Sequence, residues 1–97
     1  MFIIDIIYKV SLEKIDACMK EHVEYLDKYF AAGNFLIAGR KHPRNGGVII
    51  ALASNKEEIE GISKEDPFYM HNLADIKITE FSGGRKAKHL DELLAKS

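Results

Sequence analysis

Alternating apolar and polar positions open the chain. Phe2, Ile4, Ile6, Tyr8 and Val10 form an unbroken apolar face rich in β-branched neighbours, so Phe2 to Val10 predicts a strand. The period then lengthens. Leu12, Ile15, Met19, His22, Leu26 and Tyr29 follow steps of three and four and project from one side of a helix. Ser11 suits its N-cap, Glu13 falls in its first turn, and Gly33 stops it. His22 stands in this stripe where a leucine is expected. An imidazole buried without a partner costs roughly 1 to 3 kcal/mol, so the fold must supply a hydrogen-bonding group, and Asp66 is the candidate.

Two apolar runs, Asn34 to Lys41 and Gly46 to Ala53, flank the turn-forming His42-Pro43-Arg44-Asn45 and predict a β-hairpin. Ser54 with Glu57 matches a capping box, opening a short helix that turns Ile59 and Ile62 inward and ends before Asp66-Pro67. Ala74 to Phe81 supplies a fourth strand through Ile76 and Ile78. After Gly83-Gly84, a last amphipathic helix presents Ala87, Leu90, Leu93 and Leu94.

The order is β-α-β-β-α-β with a tail helix, an α+β class: a ferredoxin-like antiparallel sheet with both helices on one face. The expectation is one domain over residues 1–97, with a core of about 1–82 and a C-terminal helix of about 86–96. Both alternation sets of the hairpin strands are apolar: Phe35 and Ile37 against Leu36 and Ala38, and Val48 and Ile50 against Ile49 and Ala51. A sheet covered on one side only should show a polar second face, so a homodimer packed through the open sheet face is expected, with the tail helix reaching over the partner or sealing the rim.

Composition removes several function classes. The formal net charge of -1 provides no field for nucleic acid or anionic lipid, so neither is an expected partner. No apolar run approaches the roughly 20 residues needed to span a bilayer, and no secretory leader pattern opens the chain. One cysteine forms no internal disulfide, and a cytoplasmic location is the default expectation.

The chemistry candidates are few, and each has a structural alternative. His22 is a general acid or base by residue type, or a core histidine satisfied by the backbone. Asp66, held extended by the following proline, caps a turn from Pro67 to Met70 and retains lone pairs that can orient His22. Arg40, Lys41 and Arg44 surround the hairpin turn. Arg40 continues the strand toward the helix layer and suits an anionic ligand, while Gly39 permits close approach. Phe68 suits a pocket wall beside Asp66. Cys18, four residues before His22, reads mainly as a small buried hydrophobe. A metal is not expected, because Cys18 and His22 are too few ligands and His42, His71 and His89 share no spacing with them. Cofactor signatures for dinucleotides and nucleotides are absent, and no cofactor is expected.

His22 with Tyr25-Leu26, then Gly33, Leu36, Ala38-Gly39, Gly46-Gly47, Ser54 to Glu58, Asp66-Pro67-Phe68 and the strand Ile76 to Phe81 together resemble the YCII-related domain family. The resemblance spans nearly the whole chain. It implies a small dimer of the dimeric α/β-barrel type, with His22 and Asp66 as the catalytic pair near a cleft between helices and sheet. Some relatives are associated with aromatic-ring degradation, including elimination of halide from hydroxylated rings. Where relatives often carry Ala-Gly beyond Asp-Pro-Phe, this chain has His71-Asn72. Asparagine tolerates the left-handed conformation, and His71 adds a titratable group to the expected substrate-binding set. The leading expectation is a cofactor-independent lyase, isomerase or dehydrochlorinase-like enzyme acting on a cyclic or aromatic small molecule. A cofactor-free oxygenase is an enzyme alternative, and a non-catalytic module binding a small molecule or anion is the other class.

Overall fold

Four antiparallel strands and one helical layer account for the structure, a computed structural model that describes residues 1–96. Strands β1 (Phe2–Tyr8), β2 (Phe35–Arg40), β3 (Gly46–Ala51) and β4 (Ala74–Glu80) are ordered β2-β3-β1-β4, the ferredoxin-like arrangement. Between them lie α1 (Leu12–Ala17), α2 (Met19–Ala31), α3 (Lys56–Lys64) and α4 (Pro67–Met70), and α5 (Leu90–Leu94) follows. No helix among the described residues is long and apolar enough to cross a membrane.

The inner face of β1 is built as its alternation requires: Phe2, Ile4 and Ile6 are buried under the helices. Cross-strand register brings Ile49 and Ala51 of β3 and Ile76 and Ile78 of β4 to the same side. Strand β2 departs from simple alternation. A register shift between Phe35 and Ile37 inserts one extra residue, so Phe35 pairs with Ala51 while Ile37 pairs with Ile50. Phe35, Ala38 and Arg40 therefore share the inner face, and Ile37 joins Ile50 and Ile3 in an apolar row across the outer one. The expected grouping of Phe35 with Ile37 is corrected by this bulge.

The first helix also departs from its expected form. It is broken at Cys18, whose φ of -102° and ψ of 1° separate α1 from α2. The buried set becomes Ile15, Cys18, His22, Tyr25 and Tyr29. Leu12 is exposed, and Met19 and Leu26 are only half-buried. Tyr25 and Tyr29 form an aromatic cluster with Phe35, centroids 5.4 to 5.7 Å apart, which fixes α2 on the sheet. Tyr25 also donates its hydroxyl to the Ile62 carbonyl at 2.8 Å, satisfying a buried polar group while joining α2 to α3. Gly33, with φ of 86°, terminates α2 as expected.

Two further expectations shift. The cap of α3 is Asn55, whose Oδ1 accepts the Glu58 amide at 2.8 Å, and Glu58 in turn accepts the Ser54 amide at 2.9 Å. The reciprocal motif therefore sits one residue beyond Ser54 and Glu57, because asparagine caps as well as serine and this start still turns Ile59 and Ile62 inward. The C-terminal helix expected over about 86–96 is confined to Leu90–Leu94, with no buried residue to extend it. Ser97 lies outside the described residues.

A Cβ placed on Gly46 would stand 1.9 Å from the Ile6 carbonyl oxygen, a backbone atom that yields only if β1 and β3 separate. Gly46→Ala is expected to destabilise the fold by at least about 2 kcal/mol in urea unfolding. Gly61→Ala, in open space on α3, should be neutral or stabilising by up to about 1 kcal/mol. Equal effects of the two substitutions would contradict the close approach.

Candidate active site

Asp66 is positioned by its neighbour in sequence. Proline at the first helical position holds Asp66 extended, with φ of -60° and ψ of 122°, so its carboxylate turns back over the start of α4. Oδ1 accepts the Phe68 amide at 2.9 Å and meets His22 Nδ1 at the same distance. The residue is only 1% exposed and His22 only 8%. A carboxylate accepts hydrogen bonds and does not donate them, so the shared proton belongs to Nδ1, and Nε2 of a neutral His22 keeps its lone pair. Oδ2 is buried and makes no hydrogen bond among the described residues, which leaves His22 and the Phe68 amide as the groups that compensate the carboxylate.

The imidazole is held flat as well as tethered. Phe68 stacks on His22 with centroids 4.0 Å apart and planes 8° from parallel, and Tyr8 meets Phe68 edge-on at 5.8 Å. Beside this stack lies a cavity of about 190 Å³ between α2 and the sheet. Met19, His22, Val23 and Leu26 of α2 form one wall, Ile6 and Tyr8 of β1 the floor, and Gly39, Arg40, Gly46 and Gly47 the hairpin end. Met19 and Leu26, missing from the core stripe, are thus cavity residues. An apolar cavity of roughly 150 Å³ holds one benzene ring, so this space has the size of a single ring with substituents.

Gly39, Arg40 and Phe68 line the cavity with His22, while Asp66 lies behind His22. His71 is not among the lining residues: its side chain is exposed on the far end of α4 and meets Glu21 Oε2 at 3.3 Å. Two of the three hairpin cations are already paired, Lys41 with Asp5 and Arg44 with Asp16. Arg40 makes no salt bridge among the described residues and ends β2 on the inner face. Burial, with the charges of Glu21 and Asp66, pushes the Cys18 thiol above its usual range, against a thiolate nucleophile paired with His22.

The residues that sequence reasoning missed as wall are Tyr8, Met19, Val23 and Leu26. Tyr8 had a readable signal, since it ends the inner-face series Phe2, Ile4, Ile6, one step beyond the residues that pair with the hairpin glycines. Asn72 meets its expectation: with φ of 58° it closes the turn after α4.

A family model, the YCII-related domain, matches residues 1–82. The chain belongs to this family. The ferredoxin-like fold is shared with a solved structure, 5-chloro-2-hydroxyhydroquinone dehydrochlorinase (TftG) from Burkholderia phenoliruptrix AC1100 in complex with 2,5-dihydroxybenzoquinone. The TM-score is 0.71 at 18% identity, covering 92% of this chain and 98% of that chain. No curated protein sequence matches the chain.

Removing the carboxylate should unfasten α4 from α2. Asp66→Ala is expected to cost about 2 to 4 kcal/mol in chemical denaturation, the sum of a lost cap and an unpaired buried imidazole. Asp66→Asn keeps an acceptor oxygen at the same place and should cost roughly 1 kcal/mol. A loss below about 1 kcal/mol for the alanine variant would show that the cap does not hold the turn.

Proposed function

We propose that this YCII domain is a cofactor-independent enzyme that moves a proton on a hydroxylated, single-ring substrate, with His22 as general acid and base and Asp66 as its positioning partner. The observation that carries this reading is His22 at the wall of a ring-sized cavity, with Nδ1 engaged by buried Asp66 and Nε2 left to act. The dehydrochlorinase that shares the fold supports an elimination as the reaction class. In that reaction, His22 Nε2 takes the proton of a ring hydroxyl and returns it to the ring carbon that bears the halide. The halide then leaves with its bonding pair as Nε2, free again after that return, takes the proton of a second hydroxyl, and the product is a quinone. Gly39, Phe68 and the apolar α2 residues hold the ring, and Arg40 attracts the phenolate or another anionic substituent.

A second reading keeps the cavity and removes the chemistry. Arg40 makes no salt bridge among the described residues and lines an apolar pocket, as a module that binds an organic anion would require. The test is incubation with a panel of halogenated and unsubstituted hydroquinones, reading halide release and quinone absorbance. Turnover is expected, and His22→Ala should lower kcat by a factor of about 10² to 10⁴ while the fold remains. Binding without products from any member of the panel would favour the module.

The same reading includes a homodimer joined through the outer sheet face. Ile37 and Leu52 are each more than 40% exposed there, Ile3 and Ile50 continue the row from Ile37 across the sheet, and Ile7 lies beyond the Asp5–Lys41 ion pair. An exposed apolar row of this kind is costly to leave in water. Ile50→Lys should convert a dimer to a monomer in analytical ultracentrifugation. A wild-type chain that sediments as a monomer at micromolar concentration would overturn this part of the reading.

A further inference from the structure

The helix break at Cys18 and the turn after α4 converge on a second group of side chains, outside the cavity. Ligand atoms of Cys18, Glu21 and His71 all lie within 4.8 Å of one another. We propose that these three residues bind a divalent transition-metal ion of the zinc class.

Three observations carry the assignment. The first is the donor set: thiolate, carboxylate and imidazole are the three side-chain types that zinc prefers, and with neutral imidazole their charge balances a dication. Magnesium and calcium, which favour all-oxygen sites, do not suit it. The second is geometry. His71 Nε2 and Glu21 Oε2 are 3.3 Å apart, close to the edge of a tetrahedron built on bonds of about 2.0 Å. Sulfur edges of such a tetrahedron are about 3.6 Å, and the exposed Glu21 and His71 side chains can rotate to shorten theirs. The third is Cys18 itself. It is only 7% exposed, and its thiol makes no hydrogen bond among the described residues although a carboxylate and an imidazole lie beside it.

Metal binding would displace the thiol proton and leave a fourth position for water. It would also tie the first turn of α2, which carries His22 one turn on, to the end of α4, whose start Asp66 caps. Chain spacing hides the site, because His71 stands far from Cys18 in sequence and meets it only when α4 packs on α2.

The test is titration of the reduced, metal-free full chain with Co²⁺ under a non-thiol reductant. A sulfur-to-cobalt charge-transfer band and intense visible bands of four-coordinate cobalt are expected, both displaced by Zn²⁺ and untouched by excess Mg²⁺. Cys18→Ser should abolish the charge-transfer band. His71→Ala, at an exposed position, should weaken Zn²⁺ at least tenfold and remove the rise in Tm that Zn²⁺ gives the wild type, whereas His42→Ala should do neither. Absence of the charge-transfer band, or a His71→Ala variant that binds Zn²⁺ as tightly as wild type, would overturn the site.

Discussion

One carboxylate oxygen organises the molecule. Asp66 Oδ1 serves the amide that begins α4 and the imidazole that interrupts the α2 stripe, so a local cap and a long-range contact share one acceptor. Each use supports the other. Capping fixes where the oxygen points, and only a fixed oxygen can hold His22 in one tautomer and one plane. Phe68, whose amide donates to that oxygen, then covers the imidazole face with its own ring. The turn, the stack and the orientation of His22 are consequences of Asp66 standing before Pro67.

Helix α2 divides its inward surface between two tasks. Tyr25 and Tyr29 are committed to the core with Phe35, and Tyr25 also reaches α3. Met19, Val23 and Leu26, on the adjoining flank, face the cavity and remain partly exposed. His22 lies at the boundary between the two surfaces. Its Asp66 side is dry and tightly packed, whereas the cavity side has room for a ring. This is the setting in which a proton-transfer group keeps a fixed geometry while its other nitrogen meets a ligand.

Much of this was legible from residue patterns, because the signals were local. Alternation in β1, the positive-φ stop at Gly33, the Asp66-Pro67 cap and the tolerance of Asn72 for a left-handed turn each follow from a few neighbouring residues. The contact of His22 with Asp66 was legible for a different reason: a polar ring in an apolar stripe demands a partner. What stayed hidden depended on choices between near-equal alternatives. Ser54 and Asn55 are both good caps, and a uniformly apolar β2 carries no mark of where its extra residue sits. The break at Cys18 has no glycine or proline to announce it. The tail repeats a helical period at Ala87, Leu90, Leu93 and Leu94, yet none of these side chains is buried and the helix is little more than one turn.

The irregular pairing in β2 has a consequence beyond the strand itself. Phe35 and Arg40 are an odd number of positions apart, and in a regular strand such residues face opposite ways. Here they face the same way, so a core anchor at one end of β2 and a cation beside the cavity at the other are carried by a single edge strand. Sidedness along β2 is thus counted from the bulge rather than from either terminus. A lineage that gained or lost one residue between Ile37 and Arg40 would turn Arg40 from the cavity to the outer sheet surface while Phe35 kept its place in the core.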